Sequence, residues 1–355
     1  MITIVSNFHN RPDFIPLQFE SIRKFVLDQE ITYIVANSAE DRKLRREISS
    51  VCRSLGIQCI PIKRDYLLGL TIRNRYGENV FRGFRHYKNG NVACSYTLMY
   101  LWKHFLGKIG SQMLCVMDSD MFFYNEFNPM EILSSKESAK AAIAFVPILR
   151  NSKVSKWDIY HPWNGLFLAN ESSIGPLRSL VWHPGKISGM KLDVGGQGHF
   201  WMKENLNRVD YCHFTAFSLH NLEDDGFQKK GKVTVNGSFL CEFNLISESP
   251  LDLEFSRAGA DSPYLPLDFS YLEQIFGEGN GINRLQTGIL KLLEANRNFP
   301  GPDPKYFDLI GFFSGDKFNG FVFHYKSVSN YQEWSSVQYN SEKSRALMQF
   351  LSSET

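Results

Sequence analysis

Two hydrophobic periods alternate through residues 2 to 62, and that alternation constrains the fold more than any other feature of the chain. Ile2 to Val5 is a short apolar run that predicts a buried strand. After Pro12, Ile15, Phe19, Ile22 and Val26 recur at i, i+4, i+7 and i+11, the spacing of an amphipathic helix. Ile31 to Ala36 is a second strand, rich in β-branched residues and ending at Asn37. Leu44, Ile48, Val51 and Leu55 repeat the helical spacing, Gly56 supplies a stop, and Ile57 to Ile62 predicts a third strand. Strand and helix in strict alternation predict an α/β fold with a mostly parallel, Rossmann-like sheet covered by helices.

The stretch from Lys63 to Gly90 reads as a polar loop; Lys63, Arg64, Arg73, Arg75, Arg82, Arg85 and Lys88 give it a basic character suited to a solvated surface or a small anionic substrate. Cys94, Leu98, Leu101 and Phe105 then mark a helix, and Met113 to Met117 a buried strand that runs directly into Asp118-Ser119-Asp120. Ala141 to Val146 and Leu166 to Ala169 predict further strands, and Phe321 to Phe323 a late one leading to His324. These readings divide the chain into a core over 1–210, a more loosely patterned elaboration over 211–304 and a C-terminal segment over 305–355.

A net charge of +2 gives no electrostatic case for nucleic acid as partner. Six scattered cysteines, without C-x-x-C or metal-ligand spacing, suit a reducing compartment. With no basic leader before the first strand and no apolar run of the ~20 residues needed to span a bilayer, the expectation is a cytoplasmic protein without a transmembrane segment. Peripheral membrane contact stays open.

The strongest chemical signal is Asp118-Ser119-Asp120 at the carboxyl end of an apolar strand, where open α/β sheets bind their ligands. Carboxylates at i and i+2 of an extended chain point the same way and offer hard oxygen ligands to Mg²⁺ or Mn²⁺. A diphosphate would fill the remaining coordination positions. Haloacid-dehalogenase-type phosphatases use D-x-D-x-[TV], but Phe122 stands two residues after Asp120, and Asp316 lacks the second aspartate of their later motif. A dinucleotide oxidoreductase would need G-x-G-x-x-G after the first strand, which is absent. A neutral His324 could complete a metal site, with Lys326 reaching a phosphate as a point charge.

The order of the first strand, Asn37, Asp118-Ser119-Asp120, Trp163-Asn164-Gly165-Leu166, Asp193-Val194-Gly195-Gly196 and His324-Tyr325-Lys326 resembles GT-A glycosyltransferases. It is similar to bacterial and viral sugar transferases ending in His-Tyr-[Arg/Lys]-x-x-Ser-Asn and, in motif order, to the glycogenin and lipopolysaccharide galactosyltransferase family. The likeness covers residues 1 to about 205 and 318 to 335. It implies a GT-A fold and transfer of a sugar from a UDP- or GDP-sugar to a glycan, lipid-linked or protein-linked acceptor, with retention slightly favoured.

By the same resemblance, Asp118, Asp120 and His324 would bind Mn²⁺ or Mg²⁺. Ser6, Asn7 and Asn37 would line the nucleoside pocket, while Ser119, Asn164, Gly165 and Lys326 would serve the donor. Asp193 would contact sugar hydroxyls or lie near the reacting carbon; Glu204 and Asp210 are further carboxylates. Trp163, Gly195 and Gly196 are assigned to the acceptor side, although Trp163 suits a core equally and the glycines suit a turn. The chain departs from the pattern at Val328-Ser329-Asn330-Tyr331 and in carrying Asn37 where many relatives have Asp. Two other readings stand beside this one: a sugar nucleotidyltransferase, disfavoured because Ser6 to Arg11 contains no glycine, and a non-catalytic nucleotide-sugar-binding protein.

Overall fold

The structure, a computed structural model, describes residues 1–27, 30–76, 90–106, 112–133, 141–151, 158–183, 186–187, 190–192, 194–205, 207–224, 229–235, 238–245, 253–256, 307–314 and 317–325. The chain opens with β1 (Ile2–Phe8), α1 (Phe14–Phe25), β2 (Ile31–Asn37), α2 (Arg42–Ser54) and β3 (Gln58–Pro61). Then come α3 (Tyr66–Tyr76), α4 (Gly90–His104), β4 (Met113–Asp118), β5 (Met121–Phe123), α5 (Pro129–Leu133), β6 (Ala141–Asn151) and β7 (Asp158–Asn170). After α6 (Ile174–Leu177), β8 (Lys186–Ile187), β9 (Met190–Lys191) and α7 (Gly198–Asn205), the described remainder is strands. These are β10 (Val209–His213), β11 (Thr215–Asp224), β12 (Lys229–Val235), β13 (Ser238–Leu245), β14 (Leu253–Ser256), β15 (Phe307–Ser314) and β16 (Lys317–Tyr325).

The described chain divides into two compact units, the first comprising 1–121, 126–147 and 152–212 and the second comprising 122–125, 148–151 and 213–355. The first is built on a seven-stranded sheet of order β10-β6-β7-β4-β1-β2-β3. β4, β1, β2 and β3 run parallel, and β7 pairs antiparallel with β4. β1 therefore has its successor β2 on one side and β4 on the other, a reversal of strand order of the kind at which open α/β sheets form a ligand crevice outside the carboxyl ends of the strands. Helices cover both faces. Leu98, Leu101 and Trp102 of α4 pack with Val5, Ile34, Leu114, Val116 and Phe167 on one face. Tyr33, on the opposite face of β2, stacks on Phe19 of α1 with ring centroids 5.9 Å apart.

Local chemistry agrees with these elements. Asp41 caps α2, its side chain accepting from Leu44 N at 2.8 Å. The helix closes as a Schellman turn: Gly56 N–H donates to Arg53 O and Ile57 N–H to Cys52 O. Gly56 takes φ +69°, which is why glycine stands at that stop. Trp182, fully buried, meets Trp102 and Phe167 edge to face at 5.5 and 5.3 Å, anchoring the core beneath α4. Cys52, Cys59, Cys94, Cys115 and Cys212 are free thiols, and among the described residues no helix is long and apolar enough to cross a membrane.

The second unit holds a seven-stranded sheet of order β14-β13-β12-β11-β15-β16-β5, antiparallel at each of its five pairings from β14 to β16. Residues 211–304, read from sequence as a loosely patterned elaboration, thus contribute β11 to β14 to a regular sheet. Phe323 stacks on Phe122 at 5.4 Å and Phe321 meets Phe214 edge to face at 5.3 Å.

The segment after β3 departs from the sequence reading: Lys63 to Gly90 reads as loop, but Tyr66–Tyr76 is helical. The helix escapes a periodicity test because apolar residues lie on several of its faces. It is fixed to α4 by Leu68 and Ile72, which pack with Tyr96 and Tyr100. A polar latch adds to this: Asp65 accepts from Lys103 Nζ at 2.7 Å, His104 Nε2 at 2.8 Å and Leu68 N at 3.0 Å. Burial alone would raise the Asp65 carboxyl, but these donors outweigh it and hold the group at about 2. Its folded value lies below its unfolded value near 4, so the latch stabilises above that pH and is lost as pH falls from about 4 through about 2. Asp65→Asn should therefore lower stability by about 1 kcal/mol at neutral pH. The gap between variant and wild type should shrink as pH drops below 4, measured by urea unfolding across the range.

Candidate functional site

The side chains at the carboxyl ends of the paired strands β1 and β4 follow from the strand register. Val5, Leu114 and Val116 belong to the apolar cluster against α4, and two residues further along the same strand faces stand Asn7 and Asp118, which are register partners. Asn7 Oδ1 accepts from Ser38 Oγ at 2.7 Å, which ties the end of β1 to the residue after β2. From the other side, β7 runs antiparallel with Met117 opposite Leu166. That pairing carries Asn164 to Asp118, whose Oδ1 accepts from Asn164 Nδ2 at 3.4 Å. The same amide nitrogen lies 3.3 Å from Cys94 Sγ on α4. Asn7, Asp118 and Asn164 therefore form one polar row across three adjacent strands.

The turn that carries the aspartates is held from behind by a residue the sequence reading passed over. Gln18 is fully buried on α1, and its carboxamide nitrogen donates to Asp118 O at 2.9 Å and Met121 O at 2.7 Å. Its oxygen accepts from Tyr33 Oη at 2.6 Å. Both amide hydrogens thus have carbonyl partners at the two ends of the turn, and the Tyr33 hydroxyl fixes which way the amide faces. Burial pushes the Tyr33 phenol well above its usual value, so it remains a donor throughout the working pH range. A signal was present in the sequence: Gln18 is a polar residue in the buried stripe of α1, between Ile15 and Ile22.

Asp120 is buried, while Asp118 and Ser119 are half-buried. Among the described residues no group of three or more His, Cys, Asp or Glu side chains is placed to hold a metal ion. Two carboxylates from one turn fit a hard cation of the Mg²⁺ or Mn²⁺ type, which is commonly held by one or two protein carboxylates and completed by substrate phosphates and water.

The remaining expected residues fall into several environments. Ser6 is fully buried within β1. Asn37 is also fully buried, and its carboxamide donates to Arg45 O and Ser49 Oγ and accepts from Ala39 N. That network fastens the end of β2 to α2. The Trp163 indole lies over Gly165, where any Cβ would collide with the ring. Gly195 takes φ +90°, a Cβ there would strike Pro162 O, and its N–H donates to Trp182 O. Gly195 and Gly196 accept from the N–H groups of Gly198 and His199, so the pair shapes the turn that opens α7. Asp193 and Lys326 lie outside the described residues.

In the second unit, His324 on β16 stands opposite Asp308 on β15. Its Nδ1 lies 3.2 Å from Asp308 Oδ2, with both side chains 12% exposed. An ionised carboxylate only accepts, so Nδ1 carries a proton; the neutral ring in that tautomer has its lone pair on Nε2. Metal-binding histidines are commonly oriented by such a carboxylate. Asp308 could not be recognised before its cross-strand register with His324 was known.

Two outcomes follow from these contacts. Gln18→Glu places a carboxylate oxygen against two carbonyl oxygens and should cost about 3 kcal/mol in urea unfolding, whereas Tyr33→Phe, which deletes one hydroxyl, should cost about 1 kcal/mol. Asp308→Ala should release the His324 tautomer, seen in ¹⁵N–¹H correlation spectra as loss of a single Nδ1-protonated form.

No family model matches the chain, and no curated protein matches it in sequence. Among solved structures, the chain is similar to the crystal structure of the galactosyltransferase LgtC in complex with donor and acceptor sugar analogues. Identity is 13%, the match covers 59% of this chain and 73% of that chain, and the TM-score is 0.35.

Proposed function

We propose that this chain is a metal-dependent glycosyltransferase that moves a sugar from a UDP- or GDP-sugar to a glycan, lipid-linked or protein-linked acceptor. The observation that carries the reading is the anchored Asp118–Met121 turn at the strand-order reversal between β1 and β4. A sheet of this topology binds ligands at that crevice, and a turn held at both ends presents two carboxylates without the freedom to swing apart. Asp118 and Asp120 would hold Mn²⁺ or Mg²⁺, and the bound cation would supply charge neutralisation for the departing nucleoside diphosphate.

The protein's own groups have separable tasks in this reading. Asn164, within reach of Asp118, orients that carboxylate and offers an amide to the donor sugar. Asn7, fixed by Ser38, marks the nucleoside side of the crevice. His324, with its tautomer set by Asp308, has the chemistry of a further metal ligand, and Lys326 that of a phosphate-binding cation. Asp193 is proposed to act at the reacting sugar, with Trp163 and the Gly195–Gly196 turn on the acceptor side. Of the two stereochemical outcomes retention is favoured, as the motif order suggests.

The test is a nucleotide-sugar hydrolysis screen with Mn²⁺, which needs no acceptor. One donor should be turned over, and Asp120→Asn should lower turnover by about 100-fold or more, since a bound cation contributes several kcal/mol. UDP or GDP should raise the melting temperature only with divalent metal present, because metal and diphosphate share ligands. Equal protection in EDTA would show that arginine and lysine alone hold the diphosphate. Metal-dependent protection without turnover of any donor would favour a non-catalytic binding protein.

A further inference from the structure

Apart from the polar row, the first unit holds a cavity of about 330 Å³ between its sheet and α4. Thr3 and Val5 of β1, Thr32 and Ile34 of β2, and Gln58 and Ile60 of β3 border it from the sheet. Strand register puts all six on the one face that α4 covers. Trp102 closes it from the helix side. Neither Asn7, Asp118 nor Asn164 belongs to its wall.

The wall defines what the cavity accepts. No side chain bordering it is ionisable, so a charged ligand would lose its hydration without gaining a countercharge. Its size suits a hydrophobic small molecule, since an apolar void of about 150 Å³ already takes up benzene. Pockets that bind small molecules begin at roughly 300 Å³ and pair an apolar wall with a few polar groups. One such group is waiting here. Trp102 is 8% exposed, and its buried Nε1 has no hydrogen-bond partner among the described residues. Of the buried side-chain polar atoms identified without a partner, it alone belongs to a residue of the cavity wall. A buried indole N–H ordinarily has an acceptor. Trp182 meets the Trp102 ring edge to face at 5.5 Å, which steadies the indole, but an aromatic face is a weak acceptor beside an oxygen.

We propose that this cavity binds a small uncharged hydrophobic molecule carrying one carbonyl or ether oxygen, which accepts from Trp102 Nε1. The inference is independent of the transferase reading, since no residue of the polar row takes part and its assay measures binding alone.

The experiment titrates the full chain with 1-tetralone and with tetralin, which has a methylene where the ketone has its carbonyl. Binding is followed by calorimetry and by ¹⁵N–¹H correlation spectra. Wild type should bind both, the ketone roughly tenfold tighter, as expected for satisfying one buried donor. The Trp102 indole N–H signal, identified by its loss in Trp102→Phe, should move further downfield with the ketone than with tetralin. Trp102→Phe should bind the two probes equally. Thr32 is half-buried in the wall, and Thr32→Phe should fill the space and weaken both. If Trp102→Phe fails to fold by circular dichroism, the wild-type affinity ratio and its loss in Thr32→Phe decide. Equal affinity of wild type for the two probes would show that water already meets the N–H, and would overturn the proposal. So would no binding of either probe, a preference for the ketone that survives Trp102→Phe, or full binding by folded Thr32→Phe.

Discussion

A single buried carboxamide holds the part of the molecule on which the proposed chemistry depends. The turn from β4 to β5 begins and ends at strand termini, where Asp118 O and Met121 O need partners, and it brings two carboxyl side chains close together. Gln18 supplies donors to both ends of that turn from within the buried stripe of α1. A buried amide is tolerated only when its groups are satisfied; here the Tyr33 hydroxyl completes the set and excludes the flipped orientation. A lysine or glutamate could not replace it, because the first lacks an acceptor for Tyr33 and the second lacks the donors.

What the carboxamide fixes, the sheet aligns. Parallel pairing of β1 with β4 sets Asn7 beside Asp118, and antiparallel β7 returns Asn164 to the same row. The two-residue period of strands then separates neighbours of similar chemistry. Asn7 reaches the polar row at the strand end, whereas Ser6, one residue earlier, is enclosed in the sheet. Asn37 shows that a polar residue at a strand end can serve the scaffold instead, since its amide fastens β2 to α2. The second unit repeats the logic in antiparallel form: the ladder sets Asp308 across from His324, and the carboxylate then selects the imidazole tautomer.

The sequence by itself determined the alternating elements over residues 2–62, because strand and helix periods succeed one another there with local stop signals. α2 illustrates this: Asp41 caps one end, a buried apolar stripe runs along it, and Gly56 in a left-handed conformation closes the other. The apolar run of β4 ending at Asp118 was equally legible, since a buried parallel strand needs no partner to be recognised. α3 was missed because its apolar residues cover more than one side and so lack a single period. The strands over 215–256 were missed because glycine and polar punctuation hide alternation until pairing supplies it. Only tertiary structure could decide which polar residues meet. Gln18 is a hundred positions from Asp118, and Asn164 forty-six; strand register and helix docking set those encounters, and neither is written in the local sequence.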